Sequence, residues 1–204
     1  MELTDADEIR IGQALADQFA KSEGLQPTPQ IVKTEAYLQS VGDRLAAHAK
    51  RKLPYKFYLD PNPAFRRAFP GGVIFVGGGI LALSDSENQF AMVNPCRERL
   101  LAELEKTKLS PAQGEQRKID PFLPGYGHDI EFAWDADGTK LAPAAGYAPA
   151  AGARTLKMFV VMGQEMTHTE SEADANLKAR IAEIQKLMAR EKLPIAKERP
   201  PALP

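Results

Sequence analysis

The sequence predicts a mainly helical α+β domain, with six or seven helices around a small β-hairpin or sheet. Three observations carry this. Apolar residues recur at spacings of three and four along most of the chain, as helices buried on one face require. Strand-like pattern is confined to two short runs, Tyr55–Asp60 and Val73–Val76, each bounded by turn residues. The composition, 44% apolar and 26% charged over 204 residues, is that of a folded globular chain. A chain of this length buries roughly 70% of the surface its unfolded form exposes, so it folds without staples.

Each element has its own signal. Thr4 with Asp7 and Glu8 starts a helix over 5–22, whose apolar face is Ile9, Leu15, Ala16 and Phe19. GLQPTPQ at 24–30 is a connection. A second helix over 34–50 carries Tyr37, Leu38, Val41 and Leu45. In the first strand Tyr55, Phe57 and Leu59 alternate, and DPNP at 60–63 turns the chain. The second strand, 73–76, lies between Gly71-Gly72 and a glycine turn at 77–79. Ser84 and Glu87 form a capping box that opens a helix to Val93. Asn94-Pro95 stops it, because a residue before proline is pushed out of the α region. A separate helix over 96–108 has Leu100, Leu101 and Leu104 as its stripe. Residues 109–127 lack periodicity and read as a loop. Helical pattern resumes over 128–145, with Pro143 kinking or fraying its end, over 149–162, and over 171–191 with Leu177, Ile181, Ile184 and Met188 inward.

Composition also excludes function classes. Lys+Arg 26 against Asp+Glu 27 gives a net charge of −1, without the basic excess of a nucleic-acid binder. The lone Cys96 rules out an internal disulfide framework and a cysteine-only zinc site. The longest mostly apolar stretch, Val73–Leu83, has 11 residues, whereas a membrane span takes about 20. The start, MELTDADEIR, is acidic and unlike a signal peptide, although a processed exported protein would look the same. The end, PIAKERPPALP, reads as an undocked tail, so the expected organisation is one domain over 1–192 and a Pro-rich tail over 193–204. Gly77–Gly79 lacks the Lys and Ser/Thr of a phosphate-binding loop and reads as a turn.

Three segments carry a resemblance. PAFRRAFPGGVIFVGGGILALSDSENQFAMV resembles the Pro-Gly-Gly hairpin region of the HtpX-like and CAAX prenyl protease family of zinc metallopeptidases. GYGHDIEFAWDADGTKLAPAAGYAPAAGARTLKMF at 125–159 is similar to that family's Glu-x-x-x-Asp helix, and THT at 167–169 followed by ARIAEIQKLMAREK to its Thr-His-Pro motif and closing helix. The resemblance implies a zincin-like fold, zinc-dependent endopeptidase hydrolysis of polypeptides and a setting in the bacterial cell envelope or periplasm. It casts Glu131 as the third zinc ligand and Asp135 as the downstream catalytic acid. It also places Gly71, Gly72 and Ile74 along the substrate backbone, with His168 and Arg180 lining the cleft.

One part of the pattern is absent. Such a site needs two histidines at i and i+4 with a general-base Glu between them. Where the family continues into His-Glu-x-x-His, this chain reads AMVNPCRERLLAELEK. The resemblance therefore implies a deletion joined at Asn94-Pro95, and an inactive peptidase homologue with no bound zinc. Trp134 beside the third ligand, Pro143 in its helix and Thr169 in place of proline depart in the same direction. The break at Pro95 leaves Glu131 facing water or a basic side chain such as Arg97 or Arg99, a surface pair worth at most about 1 kcal/mol.

Other readings stay open. A rebuilt metal site would join Glu131 to His128, His168 or Cys96. A binding module would use Val73–Val76 as an edge strand for an added peptide. A chain shortened in its central helix would fold poorly, each lost Leu-sized contact costing roughly 2–5 kcal/mol. Glu131 and Asp135 also fit a solvated acidic helix face over Asp129–Asp137, and His48 an exposed helix end.

Overall fold

The structure is a computed structural model that describes residues 3–60, 62, 66–83, 104–116, 128–167 and 172–195. It is mainly helical with one three-stranded sheet. The described elements fall into two compact units, the first carrying the sheet and the second three long helices. The predicted helix over 84–93, the break at Asn94-Pro95, most of the helix over 96–108 and the end of the tail lie outside the described residues.

In the first unit, α1 (Asp5–Ser22) begins at Thr4, whose hydroxyl accepts the Asp7 amide while Asp7 reaches back to the Thr4 amide. This reciprocal cap is the reason the helix starts where the sequence predicts. Its buried stripe is Glu8, Ile11, Gly12, Leu15 and Ala16, with Ile9 only half-buried. An acid thus occupies a core position. Glu8 accepts the Gly71 amide at 3.0 Å and two Arg51 bonds at 3.1 and 2.7 Å. That bonding compensates for its burial.

α2 (Pro29–Ala46) starts five residues earlier than the predicted 34, because Thr28 caps it and Pro29 occupies its first position. Leu38, Val41 and Leu45 point inward as expected. β1 (Lys56–Asp60), β2 (Arg66–Phe69) and β3 (Val73–Gly77) form a sheet of order β1-β3-β2. β3 is antiparallel to β2, from Arg66 opposite Val76 to Phe69 opposite Val73, and parallel to β1, from Lys56 beside Val73 to Asp60 beside Gly77. β3 is therefore the central strand, which corrects its reading as an edge: both of its sides are already paired. On the outer side of β1, the Phe57 and Leu59 amides donate to Gln39 and Glu35 of α2, each at 3.1 Å.

The hairpin joining β2 to β3 is the 3₁₀ turn Pro70–Gly72. Gly71 adopts φ 73°, and a Cβ there would lie 2.5 Å from the Ile9 Cα. A Cβ on Gly12 would lie 1.7 Å from the Pro70 carbonyl oxygen. Two glycines thus allow α1 and the hairpin to touch backbone to backbone. The core beside them comprises Ile11, Leu15, Phe69, Val73, Phe75 and Leu104, with the Phe19 ring set edge-on to Phe75 at 5.0 Å.

Two further helices differ from expectation. The predicted glycine turn at 77–79 gives way directly to α3 (Gly78–Leu83). Inside the predicted loop lies α4 (Pro111–Gln116), started by a cap in which the Gln113 side chain accepts from the Ser110 amide and hydroxyl, at 3.0 Å each. Residues 104–107 are helical.

The second unit contains α5 (His128–Ala144), α6 (Ala151–Thr167) and α7 (Glu172–Arg190), close to the predicted bounds except that α6 is displaced toward the C-terminus. Pro143 sits in the last turn of α5, which closes with Tyr147 donating to Ala142 at 2.8 Å and Gly146, at φ 79°, donating to Pro143 at 3.0 Å. This is a Schellman ending, so the proline terminates the helix without interrupting its body. α6 and α7 pack through Ala153, Leu156 and Ile184, with Leu177, Ile181 and Met188 around them. No described helix is long and apolar enough to cross a membrane.

Candidate functional site

The two acids singled out on α5 meet two residues of α7. Glu131 and Asp135 are four apart and so share one helix face, as do Asn176 and Arg180. Arg180 grips Asp135 with two parallel bonds, Nε to Oδ2 at 2.7 Å and Nη2 to Oδ1 at 2.9 Å. Its third nitrogen, Nη1, donates to Glu131 Oε1 at 3.2 Å, and Asn176 Nδ2 donates to Glu131 Oε2 at 2.7 Å. All four carboxylate oxygens accept a hydrogen bond, and all three guanidinium nitrogens donate one. The planar fork of arginine suits this geometry, and a lysine could not reproduce it.

The cluster is buried at Asp135 and Arg180 and half-buried at Glu131 and Asn176. Asp135 is 7% exposed and Arg180 9%. Burial works against the Arg180 charge more than any other single influence. The Asp135 hydrogen bond and the charges of Asp135 and Glu131 together outweigh it, holding the guanidinium pKa above its usual value. The partner expected for Glu131 was water, Arg97 or Arg99, in a surface pair. The observed partners are Arg180 and Asn176, and Glu131 is half-buried between them. Arg97 and Arg99 lie outside the described residues.

As placed, both acids are already committed to Arg180 and Asn176. Zinc takes three protein ligands at about 2 Å, and among the described residues no group of three or more His, Cys, Asp or Glu could hold a metal ion. A dication on Glu131 would also stand beside the buried guanidinium bonded to the same carboxylate, a like-charge contact poorly screened away from water. Of the alternative ligands, His168 and Cys96 lie outside the described residues, and His128 is placed only as the first residue of α5.

The residues expected along a substrate backbone belong to the first unit. Gly71 is buried and gives its amide to Glu8. Gly72 is buried against Tyr55 and Leu53, and Ile74 is 2% exposed in the middle strand. In this arrangement they are packing positions. Arg180, expected in a substrate cleft, is fully engaged by α5. Sequence reasoning missed Asn176 altogether. Its signal was there: Asn176 and Arg180 repeat the i, i+4 spacing of Glu131 and Asp135.

No protein-family profile and no curated protein matches the chain.

Proposed function

We propose that this protein is a non-proteolytic homologue of the HtpX-like and CAAX prenyl protease-type zinc metallopeptidases, with a zincin-like domain whose former metal-site acids now brace two helices. The observation that carries the reading is Arg180, bonded at once to Asp135 and Glu131. The guanidinium brings to these two acids the positive charge that a metal would otherwise supply. The absence of His-Glu-x-x-His from the sequence supports the same reading. It removes two ligands and the general base that would take a proton from attacking water. The polypeptide partner class and the cell-envelope setting follow from the resemblance of the hairpin and the Glu-x-x-x-Asp helix.

The test is direct. Purified protein that melts cooperatively is incubated with unfolded casein, with and without added zinc, and its metal content is measured after dialysis. No cleavage in either condition and zinc well below one per chain are expected. Chelator-sensitive cleavage that disappears in Glu131→Ala would overturn the proposal.

A further inference from the structure

A cleft of about 300 Å3 opens in the first unit between α1, the α1–α2 connection, the start of α2 and β1. Ala16, Ala20, Leu25 and Ile31 form its apolar sides, and Phe75 lies at its base. The volume is at the lower end of small-molecule sites, which are mostly apolar with a few placed polar groups.

The charged groups of the lining are three carboxylates, Asp17, Glu35 and Asp60, beside the neutral Gln13, Gln26 and Tyr58. Asp60 is already neutralised by Arg67, whose Nε lies 3.0 Å from Oδ2. Asp17 and Glu35 have no salt bridge among the described residues. Asp17 accepts from Gln13 Nε2 at 2.7 Å, and Glu35 accepts from the Leu59 amide at 3.1 Å. The nearby Lys56 ammonium bonds Gln13 Oε1 at 3.0 Å instead. Asp17 and Glu35 come from different helices yet act on one group, the Tyr58 hydroxyl. Burial first, then these two charges, push that phenol up. Burial also pushes the Glu35 carboxyl up, against the Leu59 hydrogen bond. A half-buried carboxylate, Glu35, and an exposed one, Asp17, thus line the same apolar cleft with no salt-bridge partner among the described residues.

We infer that this cleft binds an amphipathic monocation, an alkyl or aryl group ending in a primary ammonium or guanidinium. The apolar sides take the body of the ligand, and Asp17 and Glu35 take its charged head. The same chemistry excludes neighbouring classes. An anion would meet two like charges. A hard divalent ion wants six or more oxygen ligands and has no use for apolar walls. A neutral hydrocarbon would leave the carboxylates without a counter-ion. The cation can be a free amine or a Lys or Arg side chain of a polypeptide, and the experiment separates the two.

The test uses the full chain and two-dimensional amide NMR. Phenethylammonium, its neutral isostere 2-phenylethanol and its anionic counterpart phenylacetate are titrated in turn. Phenethylammonium should shift the Leu25, Ile31, Tyr58 and Leu59 amides and bind about tenfold more tightly than the alcohol. Phenylacetate should not bind. Glu35→Gln keeps an oxygen for the Leu59 amide and removes only the charge. Combined with Asp17→Asn it should abolish the preference for ammonium over alcohol. n-Butylammonium is then compared with acetyl-Gly-Lys-Gly amide: tighter binding of the peptide assigns a polypeptide side chain, and tighter binding of the free amine a small ligand. Equal binding of amine and alcohol, shifts confined to other surfaces, or no binding at millimolar concentration would overturn the inference. The amine and alcohol comparison on unmodified protein decides even if the double variant fails to fold.

Discussion

Each unit of the protein buries a carboxylate beneath an arginine, and the two arrangements differ in where the cation lies. In the first, Glu8 is 1% exposed while the Arg51 side chain remains 31% exposed. Glu8 also holds a backbone amide, that of Gly71, so it ties α1 to the hairpin even without its arginine. In the second, Asp135 and Arg180 are both buried, at 6% and 10% side-chain exposure, and the four bonds described between α5 and α7 join side chains. A carboxylate that serves the backbone has a structural role of its own. A buried ion cluster made only of side chains is replaceable in principle by apolar packing. The second cluster is therefore open to replacement by apolar packing, and the first is part of the scaffold.

The sharpest way to break this contrast is to remove one ion. Arg180→Ala strands two carboxylates inside the second unit and should cost about 3–5 kcal/mol in chemical denaturation. Replacing Arg180 and Asp135 together, as Arg180→Met with Asp135→Leu, should recover most of that loss. If the double variant is no more stable than Arg180→Ala alone, the cluster is not replaceable and the contrast fails. Glu8→Gln, which keeps an acceptor for Gly71 but loses the charge, should cost about 1–3 kcal/mol. Adding Arg51→Met should recover little, because the partly exposed arginine still holds Asp5 at 2.8 Å and reaches water once Glu8 has lost its charge.

A smaller effect compares helix ends. α1 and α5 close with Gly24 and Gly146 at positive φ, whereas α7 closes the same way with Lys192 at φ 50°. Lys192→Gly should stabilise the protein by about 0.5–1 kcal/mol, and Gly146→Ala should destabilise it by a similar amount. The smallest effect is pH-dependent. Burial raises the Glu35 carboxyl, so the folded chain takes up that proton at a higher pH than the unfolded chain. Its contribution to stability is fully present below the unfolded carboxyl range and is lost as pH rises through the folded value. Glu35→Gln should remove that slope and be the more stable protein above it, as measured by denaturation across a pH series.

The parts legible in the sequence are those set by local chemistry. Thr4 with Asp7 marks the start of α1, and the apolar period of α7 marks its inward face. Two misses were local as well: Thr28-Pro29 and Ser110-Pro111 with Gln113 are helix-start signals, passed over because neighbouring prolines and glycines suggested loops. The central position of β3 depends on its inserting between β2 and the earlier β1, which no local pattern states. Yet Val73 to Val76 are uninterrupted apolar residues, all buried, as a strand covered on both faces should be. At the candidate site, Glu131, Asp135 and Arg180 were each singled out from the resemblance. Their mutual pairing was not, since residues 45 positions apart meet only through the packing of α5 and α7.

The side chains that α2 lays along β1 have a consequence for how the protein behaves in a crowd. A sheet margin normally offers its amides to any passing strand, and such margins seed lateral growth into fibres. Gln39 and Glu35 occupy the Phe57 and Leu59 amides, and Gln39 Nε2 takes the Tyr55 carbonyl at 2.9 Å. A neighbouring chain would have to displace both side chains before pairing with this margin. Gln39→Ala should leave the fold in place but shorten the time to aggregation at high concentration, because α2 acts as the sheet's guard against its own copies.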